Sequence, residues 1–430
     1  MTEKSEILQQ VRVIDPVSGI DRVMDVSIVD DRITAMVDRL EEIPSGVKVT
    51  DGRGLILGPG LVDLYSRTGE PGFEERETLE SLQRSAVAGG YTRLTLLPET
   101  VPPLDTPAGL AQVRHRARTT VSPKPHCRFW GGLTCNLDGK QMAELADLVA
   151  AGAVGFTDGR PIDDGVLMRR VLEYAQIWDK PIALYPKRSD LVGDGVAREG
   201  VDSLRLGLPG IPVMAETSAL AALLECVAET NTPVHVMRVS TARGVEAIRS
   251  AKEKLLPVTA STPWTHLLWD TTDLENYDPN LRLDPPLGTP LDRAALVDGV
   301  KSGTIDAIAI DHTPYTYEEK TVAFSEAPAG VIGLQYSFAM LWHRLVASGD
   351  WTPMDLWQAT STRPARCLQQ PPPGVAVGER AELLLFDPQN PRTVEASEIY
   401  SRSRNTPLLG VFLGGQIVRT WCSIDSLEPL

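Results

Sequence analysis

The chain has 430 residues, of which 42% are hydrophobic and 23% charged, as in an ordinary soluble globular protein. Its formal net charge of −15 argues against a binding surface for nucleic acid or for an anionic membrane. The sequence contains no apolar run of about 18 residues, so no membrane span is expected, and its five scattered cysteines without CxxC spacing are typical of a reduced, cytoplasmic protein.

Residues 1–55 have the alternating pattern of short β-strands. The alternation is found in Val11–Ile14, Val26–Val29 and Arg32–Ala35. The pairs Asp15-Pro16 and Ser18-Gly19 are turn signals within the same region. This segment therefore predicts the first part of a small β module.

Residues 56–368 have a different pattern, in which short apolar runs alternate with longer helical segments. The runs are Leu61–Leu64, Leu94–Leu97, Phe129–Leu133, Val154–Phe156, Ile182–Leu184, Val234–Met237, Pro257–Ala260 and Ile308–Ile310. Most of them precede a helical pattern such as Ala219–Leu224. Eight βα units in series predict an α/β fold, a parallel (β/α)8 TIM barrel.

Residues 369–430 return to a β pattern. The proline-rich segment Gln369–Gly374 ends the helical pattern, and Ala381–Phe386 and Leu408–Phe412 are β-like. We expect the N- and C-terminal segments to form one composite β module beside the barrel.

Motifs along nearly the whole chain match one known family. They are Gly58–Asp63, Glu70–Glu74, Leu206–Pro212 with Ala215-Glu216, Val239–Thr241, Asp284–Leu287, Asp292-Arg293, Gly303–Asp306, Asp311–Lys320 and Arg404–Pro407. This ordered series resembles the class I dihydroorotases, which are cyclic amidohydrolases of pyrimidine synthesis. The resemblance implies a barrel of the amidohydrolase type, whereas activity depends on the residues of the site.

The resemblance also implies a zinc site at the ends of several strands, and four of its histidines are replaced. Their positions hold Tyr65, Arg67, Tyr185 and Arg238. The carboxylates Asp158 and Asp311 are retained, and Asp311 resembles the catalytic residue that handles the proton. A permanently charged guanidinium repels a cation. The resemblance therefore predicts no cofactor and a vestigial Asp311, and zinc is expected only if the chain is an active enzyme after all.

The positions that resemble the family's substrate-binding residues are replaced as well. Gly69 stands where the family has an arginine that binds the substrate carboxylate, Glu99 stands for an asparagine, and Tyr315 stands for a histidine. Glycine supplies no guanidinium, and Glu99 would repel an acidic substrate.

Two hypotheses describe the retained acids. Asp158 and Asp311 pair with Arg67 and Arg238, so that guanidinium charge replaces metal charge at the barrel mouth, or they are solvated remnants. Of the histidines nearby, His312 is expected to have a structural hydrogen bond. His235, three residues before Arg238, is expected on the opposite face of its strand.

Three functions remain open. The first is a non-catalytic dihydroorotase-like protein that serves as a structural or regulatory partner of aspartate carbamoyltransferase, a partner implied by the resemblance. The second is an active dihydroorotase or a repurposed cyclic amidohydrolase that would depend on Asp158, Asp311 and His312. The third is a sensor that holds an anionic pyrimidine intermediate at the arginine-rich mouth. Homo-oligomers are compatible with all three.

Overall fold

A computed structural model describes residues 5–44, 46–120 and 123–422. The strands are β1 (Ser5–Asp15), β2 (Ile20–Val29), β3 (Arg32–Val37), β4 (Lys48–Asp51), β5 (Ile56–Pro59), β6 (Leu61–Ser66), β7 (Tyr91–Leu96), β8 (His126–Phe129), β9 (Ile182–Leu184), β10 (Ala197–Arg198), β11 (Gly210–Ile211), β12 (Val234–Val236), β13 (Val258–Pro263), β14 (Ala307–Ala309), β15 (Glu382–Asp387), β16 (Arg392–Thr393), β17 (Phe412–Leu413) and β18 (Gln416–Cys422).

The helices lie mainly between the strands of the barrel. They are α1 (Leu79–Ala88), α2 (Pro107–Thr119), α3 (Leu145–Ala150), α4 (Gly165–Ala175), α5 (Val201–Arg205), α6 (Met214–Thr230), α7 (Ala242–Glu253), α8 (Pro290–Ser302), α9 (Tyr317–Lys320), α10 (Ser337–Leu341), α11 (Pro353–Trp357) and α12 (Arg363–Cys367). Two π-helical segments, Trp342–Val346 and Gln358–Thr362, follow α10 and α11 directly. Among the described residues, no helix combines the length and the apolar composition that crossing a membrane requires.

Parallel strands form the barrel in two groups. β6, β7 and β8 pair in that order, and β9, β12, β13 and β14 pair in that order. The predicted fourth strand is reduced to Phe156, which bridges Gly131 on one side and Ile182 on the other, both in parallel. All eight predicted runs therefore lie at strand positions of a (β/α)8 barrel.

Hydrogen bonds between the first and the eighth strand connect the two ends of this series. The Asp311 N–H donates to the Tyr65 carbonyl oxygen at 3.1 Å, and the Arg67 N–H donates to the His312 carbonyl oxygen at 2.8 Å. These bonds lie just beyond the carboxyl ends of the strands. They bring the replaced ligand positions of the first strand next to Asp311.

The barrel has two apolar layers. Its interior contains small side chains, among them Ala183, Ala307 and Ala309, which leave room for larger groups near the mouth. The layer between strands and helices is larger, and α6 contributes Leu220, Leu223 and Val227 at the spacing of one helical face.

The terminal segments form one sheet with the order β18-β15-β5-β1-β2-β3, and β4 pairs with β1 along the same edge as β5. This sheet confirms the composite β module. A buried ion pair fixes it to the barrel, because the Arg93 guanidinium on β7 binds the Glu382 carboxylate on β15 with contacts of 2.7 and 2.6 Å. The domain boundaries after residues 55 and 368 stay predictions, and residues 1–4 and 423–430 of the predicted module lie outside the described residues.

One C-terminal strand prediction was largely wrong. Most of the run Leu408–Phe412 forms a turn, in which the Val411 N–H donates to the Leu408 carbonyl oxygen and Gly410 has a φ of 75°. The long strand of this region is β18, which begins four residues after Phe412. The apolar composition of the run reflects packing of Leu408 into the core rather than extended backbone.

Candidate functional site

The candidate site lies at the carboxyl ends of the barrel strands, where active sites of TIM barrels are found. Two of its residues, Arg238 and Asp311, follow β12 and β14 with φ values of 56° and 48°. Left-handed backbone is uncommon outside glycine. It interrupts the alternation of the strand at these two positions and directs both side chains into the mouth.

An ion pair between Arg238 and Asp311 is at the centre of the mouth. The Arg238 Nε and Nη2 atoms donate to the two Asp311 carboxylate oxygens at 2.6 and 2.8 Å, and its Nη1 donates to the Gly159 carbonyl oxygen at 2.8 Å. The Arg238 side chain is only 2% exposed. Burial by itself lowers the pKa of Arg238, but Asp311 outweighs that effect and raises the pKa, so the guanidinium is charged.

Two tyrosine rings complete the surroundings of this guanidinium. The Arg238 Cζ atom lies 5.4 Å from the centre of the Tyr65 ring and 5.0 Å from that of Tyr185. Both distances are within the range of cation–π attraction. Two positions that resemble histidine ligands of the family therefore contribute aromatic walls to a buried cation.

A second charge cluster joins Arg67, Glu99 and Arg160. The Arg67 Nε donates to one Glu99 oxygen at 2.7 Å, and the Arg160 Nε donates to the other at 2.9 Å. The Arg67 Nη1 donates to the Thr313 hydroxyl at 2.8 Å and lies 3.9 Å from Asp311. Burial lowers the pKa of Arg67, but Glu99, Asp311 and Tyr315 together raise it, and the net shift is upward. The repulsion expected from Glu99 is thus offset by two guanidiniums.

A buried polar chain lies below the Arg238–Asp311 pair. The Tyr65 hydroxyl lies 2.9 Å from the Ser261 hydroxyl, which lies 2.8 Å from the His235 Nε2 atom. His235 therefore points into the barrel, and its expected position on the opposite face was wrong. The reason is the left-handed backbone at Arg238, which breaks the alternation on which that expectation rested. Burial lowers the pKa of His235 to about 3, so the imidazole is neutral at pH 7.

Tyr185 belongs to a third polar group. Its hydroxyl donates to the Asp284 carboxylate at 2.8 Å, and the Lys187 amine binds the same carboxylate at 2.7 and 2.9 Å. Burial raises the pKa of Tyr185, so its hydroxyl keeps its proton.

Asp158 is turned away from the mouth. One of its carboxylate oxygens accepts the N–H groups of Leu133 and Thr134 at 2.8 and 2.9 Å, and the other accepts the Thr134 hydroxyl at 2.6 Å. Burial raises the pKa of Asp158, and these hydrogen bonds oppose the shift. The hypothesis that both retained acids pair with arginines is correct for Asp311 and wrong for Asp158, because the loop after β8 supplies closer donors.

His312 has the structural environment expected for it. Its Nδ1 atom accepts the Gly333 N–H at 3.2 Å, which places the ring proton on Nε2, 3.3 Å from the Glu77 carboxylate. Since both ring nitrogens are engaged and the residue is 1% exposed, His312 is not available to a ligand.

The substrate-binding positions of the family are also structural here. A Cβ atom on Gly69 would lie 2.2 Å from the Phe73 carbonyl oxygen, so no side chain fits. The Tyr315 ring lies 5.0 Å from the Arg76 guanidinium and 5.5 Å from the Lys320 amine. Gly69 and Tyr315 therefore have structural surroundings of their own in this chain.

The donors at the mouth do not fit zinc. Zinc sites use three or four Cys, His, Asp or Glu ligands, and no group of three such side chains that could hold a metal occurs in the described part of the chain. Of the two retained acids, Asp311 is bound by Arg238 and Asp158 by the loop. A cavity of about 300 Å³ nevertheless remains above Arg238, with Arg67, Arg160 and Tyr185 in its wall.

Three contributors to the site escaped the sequence analysis. Arg160 lies two residues after Asp158, and its contact with Glu99 depends on the geometry of the barrel, which the sequence does not show. Asp284 belonged to a recognised motif, but its pairing with the unusual Lys187 crosses from one strand end to another. Ser261 has no local signal, because a serine in a strand is common.

The comparisons with known sequences agree on one family. Its sequence model, described as Dihydro-orotase-like, matches residues 54–242. The "Probable dihydroorotase-like protein" of Synechocystis sp. is 42% identical over 436 residues, which cover 95% of this chain and 98% of that protein. The "Dihydroorotase" of Pelobacter propionicus is 37% identical over 417 residues, covering 96% and 97%.

Among solved structures, the L-hydantoinase (dihydropyrimidinase) of Arthrobacter aurescens has a TM-score of 0.85 at 22% identity, with 97% of this chain and 94% of that chain covered. A D-hydantoinase of Thermus sp. has a TM-score of 0.80 at 20% identity, with 96% and 93% covered. At these identities the likeness shows the barrel fold and does not extend to the reaction.

Proposed function

The chain belongs to the dihydroorotase-like family, and we propose that it serves pyrimidine biosynthesis as a non-catalytic member. The observation that carries the proposal is the buried Arg238–Asp311 pair at the barrel mouth. Asp311 resembles the dihydroorotase residue that handles the proton beside a metal. Here both of its oxygens accept hydrogen bonds from a guanidinium that stays charged.

The chemistry of the pair supports inactivity. Hydrolysis or closure of a cyclic amide in this family uses a metal that activates water and polarises the carbonyl. A guanidinium donates hydrogen bonds, but it cannot coordinate and activate a water molecule as a metal ion does. It also stays protonated at neutral pH. Arg238 therefore neutralises Asp311 without replacing the metal's chemistry.

The proposed role is that of a structural or regulatory partner of aspartate carbamoyltransferase, the enzyme of the preceding step. This part rests on the family resemblance. A second support is that the barrel and its composite sheet are complete, whereas the residues at the family's metal-binding and substrate-binding positions are replaced. Loss of catalysis with retention of the whole fold is expected when the outer surface still has a binding function.

Turnover is the first test. Zinc-supplemented protein is assayed for interconversion of carbamoyl aspartate and dihydroorotate, beside the Pelobacter propionicus dihydroorotase as a positive control. We expect no turnover by this chain and zinc well below one atom per chain after gel filtration. Turnover that disappears in Asp311→Ala would overturn the proposal and favour an active enzyme.

Partnership is tested separately. The chain and the aspartate carbamoyltransferase of the same organism are mixed, and size-exclusion chromatography with light scattering gives the mass of the complex. A defined stoichiometry supports the structural or regulatory role. Separate elution at micromolar concentrations of both proteins would remove this partner from the proposal while leaving the turnover result unaffected.

A further inference from the structure

A groove of about 440 Å³ lies between the composite sheet and the outer helices of the barrel. Residues 416–420 of β18 form one side, and Val87 and Ala88 at the end of α1 form part of the other. No residue lines both this groove and the cavity at the mouth. The groove is therefore separate from the site described above.

One side of the groove is the edge of a sheet. β18 is the last strand on its side of the sheet, and among the described residues no strand pairs with its outer edge. A free edge presents backbone N–H and C=O groups that can pair with another extended chain. In the wall of the groove, Val418 is 49% and Tyr400 is 47% exposed. The groove thus combines an unpaired sheet edge with exposed apolar surface.

The sheet side of the groove has more cations than carboxylates. Arg419 lines the groove, and it shares the Glu6 carboxylate with Lys48. Glu6 is only 10% exposed, whereas the side chains of Arg419 and Lys48 are 42% and 67% exposed. One positive charge on this side is therefore left without a carboxylate, and both cations are accessible.

The barrel side has a similar excess. Arg392 binds Glu398, and both side chains line the groove. The Arg84 guanidinium lies 5.1 Å from the centre of the Tyr400 ring and forms no ion pair with a carboxylate among the described residues. Four cations around the groove are thus bound by two carboxylates, in a chain whose formal net charge is −15.

A polypeptide that is extended and acidic fits both features. The sheet edge supplies backbone hydrogen bonds, which only another polypeptide chain can use along its length. Guanidiniums bind carboxylates through paired N–H groups. In an extended chain successive side chains point to opposite faces, so a segment that alternates acidic and apolar residues presents both kinds over a short length.

We propose that this groove binds an extended, acidic segment of a partner protein, which adds as a strand to the free edge of β18. Arg84, Arg392 and Arg419 bind its carboxylates, and Tyr400 and Val418 contact its apolar side chains. The inference goes beyond the proposed function, because it concerns a second surface and holds whether or not the chain is catalytic.

The test uses short labelled peptides, blocked at both ends, whose binding to the full chain is measured by fluorescence anisotropy. The probe is Val-Glu-Val-Asp-Val-Glu-Val, and in a second peptide lysine replaces each acidic residue. We expect the acidic peptide to bind and the lysine peptide to bind at least about tenfold more weakly, because its charge is reversed.

Two further peptides test whether the backbone pairs with β18. One carries N-methyl groups on its acidic residues and the other on its valines, so each has one blocked edge and the same charge as the probe. The N–H groups of alternate residues point to the same side of an extended strand. Only one of the two peptides should therefore keep its affinity, and equal binding of both would overturn the inference.

Arg84→Gln and Arg419→Gln test the cations. Arg84 has no ion pair to lose, and Glu6 keeps Lys48 at 3.1 Å when Arg419 is replaced, so both variants are expected to fold. Each should weaken binding of the acidic peptide about three- to fivefold, the effect of losing one exposed ion pair. Arg169→Gln on α4, which also removes an exposed arginine, is the matched control and should stay within about twofold.

No binding of the acidic peptide, equal binding of the lysine peptide, or an unchanged affinity in either arginine variant would contradict the inference. Complete competition by a short oligothymidylate would assign the groove to a nucleic acid instead. A homo-oligomer that dissociates in Arg419→Gln, measured by light scattering, would assign it to a second copy of this chain, and either result would overturn the proposal. None of these measurements involves turnover, so the proposed function would stand.

Discussion

Replacing Arg238 by methionine tests whether the central ion pair stabilises the barrel mouth. Methionine keeps the length of the side chain and removes the charge, so Asp311 loses the two hydrogen bonds of 2.6 and 2.8 Å. The Asp311 side chain is only 11% exposed, which leaves little water to replace them. A carboxylate without its partner in such a place is strongly unfavourable.

The magnitude follows from the burial of the pair. Removing one partner of a buried ion pair costs about 3–5 kcal/mol. Because Asp311 retains a little exposure and Arg67 lies 3.9 Å away, we expect a loss near the lower end, about 3 kcal/mol. Adding Asp311→Asn removes the orphaned charge, and asparagine tolerates the left-handed backbone at this position. The double variant should therefore be more stable than Arg238→Met alone.

The assay is urea unfolding followed by circular dichroism and by tryptophan fluorescence, whose coincident transitions would justify a two-state treatment. Arg169→Met, which breaks an exposed pair, is the control and should lose at most about 1 kcal/mol. A loss of less than about 1 kcal/mol in Arg238→Met, or a double variant as unstable as the sum of the single losses, would refute the reasoning.

Other buried contacts give three further expectations. Asp158→Ala should lower the free energy of unfolding by about 2 kcal/mol in urea, because two backbone N–H groups and a hydroxyl lose their acceptor. Gly69→Ala should cost more than about 2 kcal/mol, since its Cβ would lie 2.2 Å from a carbonyl oxygen, whereas Gly165→Ala meets nothing within 4 Å and should not destabilise. Burial raises the pKa of Asp63 to about 7 in the folded chain. The protonated form of Asp63 therefore stabilises the folded chain below about pH 4, and this stabilisation is lost as the pH rises to 7. Asp63→Asn should remove this part of the pH dependence of the free energy of unfolding, measured from pH 5 to 8.

The barrel was predictable because buried parallel strands are short apolar runs, and eight of them occur between turn signals. Even the weak fourth run lies in place, although only Phe156 pairs. The turn at Leu408–Gly410 was not predictable, since apolar residues that enter the core from a turn have the same composition as a strand. Its glycine, with a φ of 75°, was the one available signal.

The kind of change at the site was predictable, but the partners of each group were not. The replacements at Arg67 and Arg238 are visible in the sequence once the motifs align. Their pairing depends on backbone that no local pattern reveals, in particular the left-handed conformation of Arg238. The same conformation brought His235 inward, against the alternation of an ideal strand.

Under the proposed function, a single guanidinium preserves the balance of charge at the barrel mouth in place of a metal ion. Asp311 is fixed by the closure of the barrel, because its N–H binds the Tyr65 carbonyl oxygen of the first strand. A buried carboxylate held there is unfavourable without a cation beside it. Arg238 supplies that cation from the sixth strand. Under the proposed function, reversion would require a new metal site and removal of this arginine together. A metal alone would add its charge to that of Arg238, and removal of Arg238 alone would leave Asp311 only the contact of 3.9 Å with Arg67.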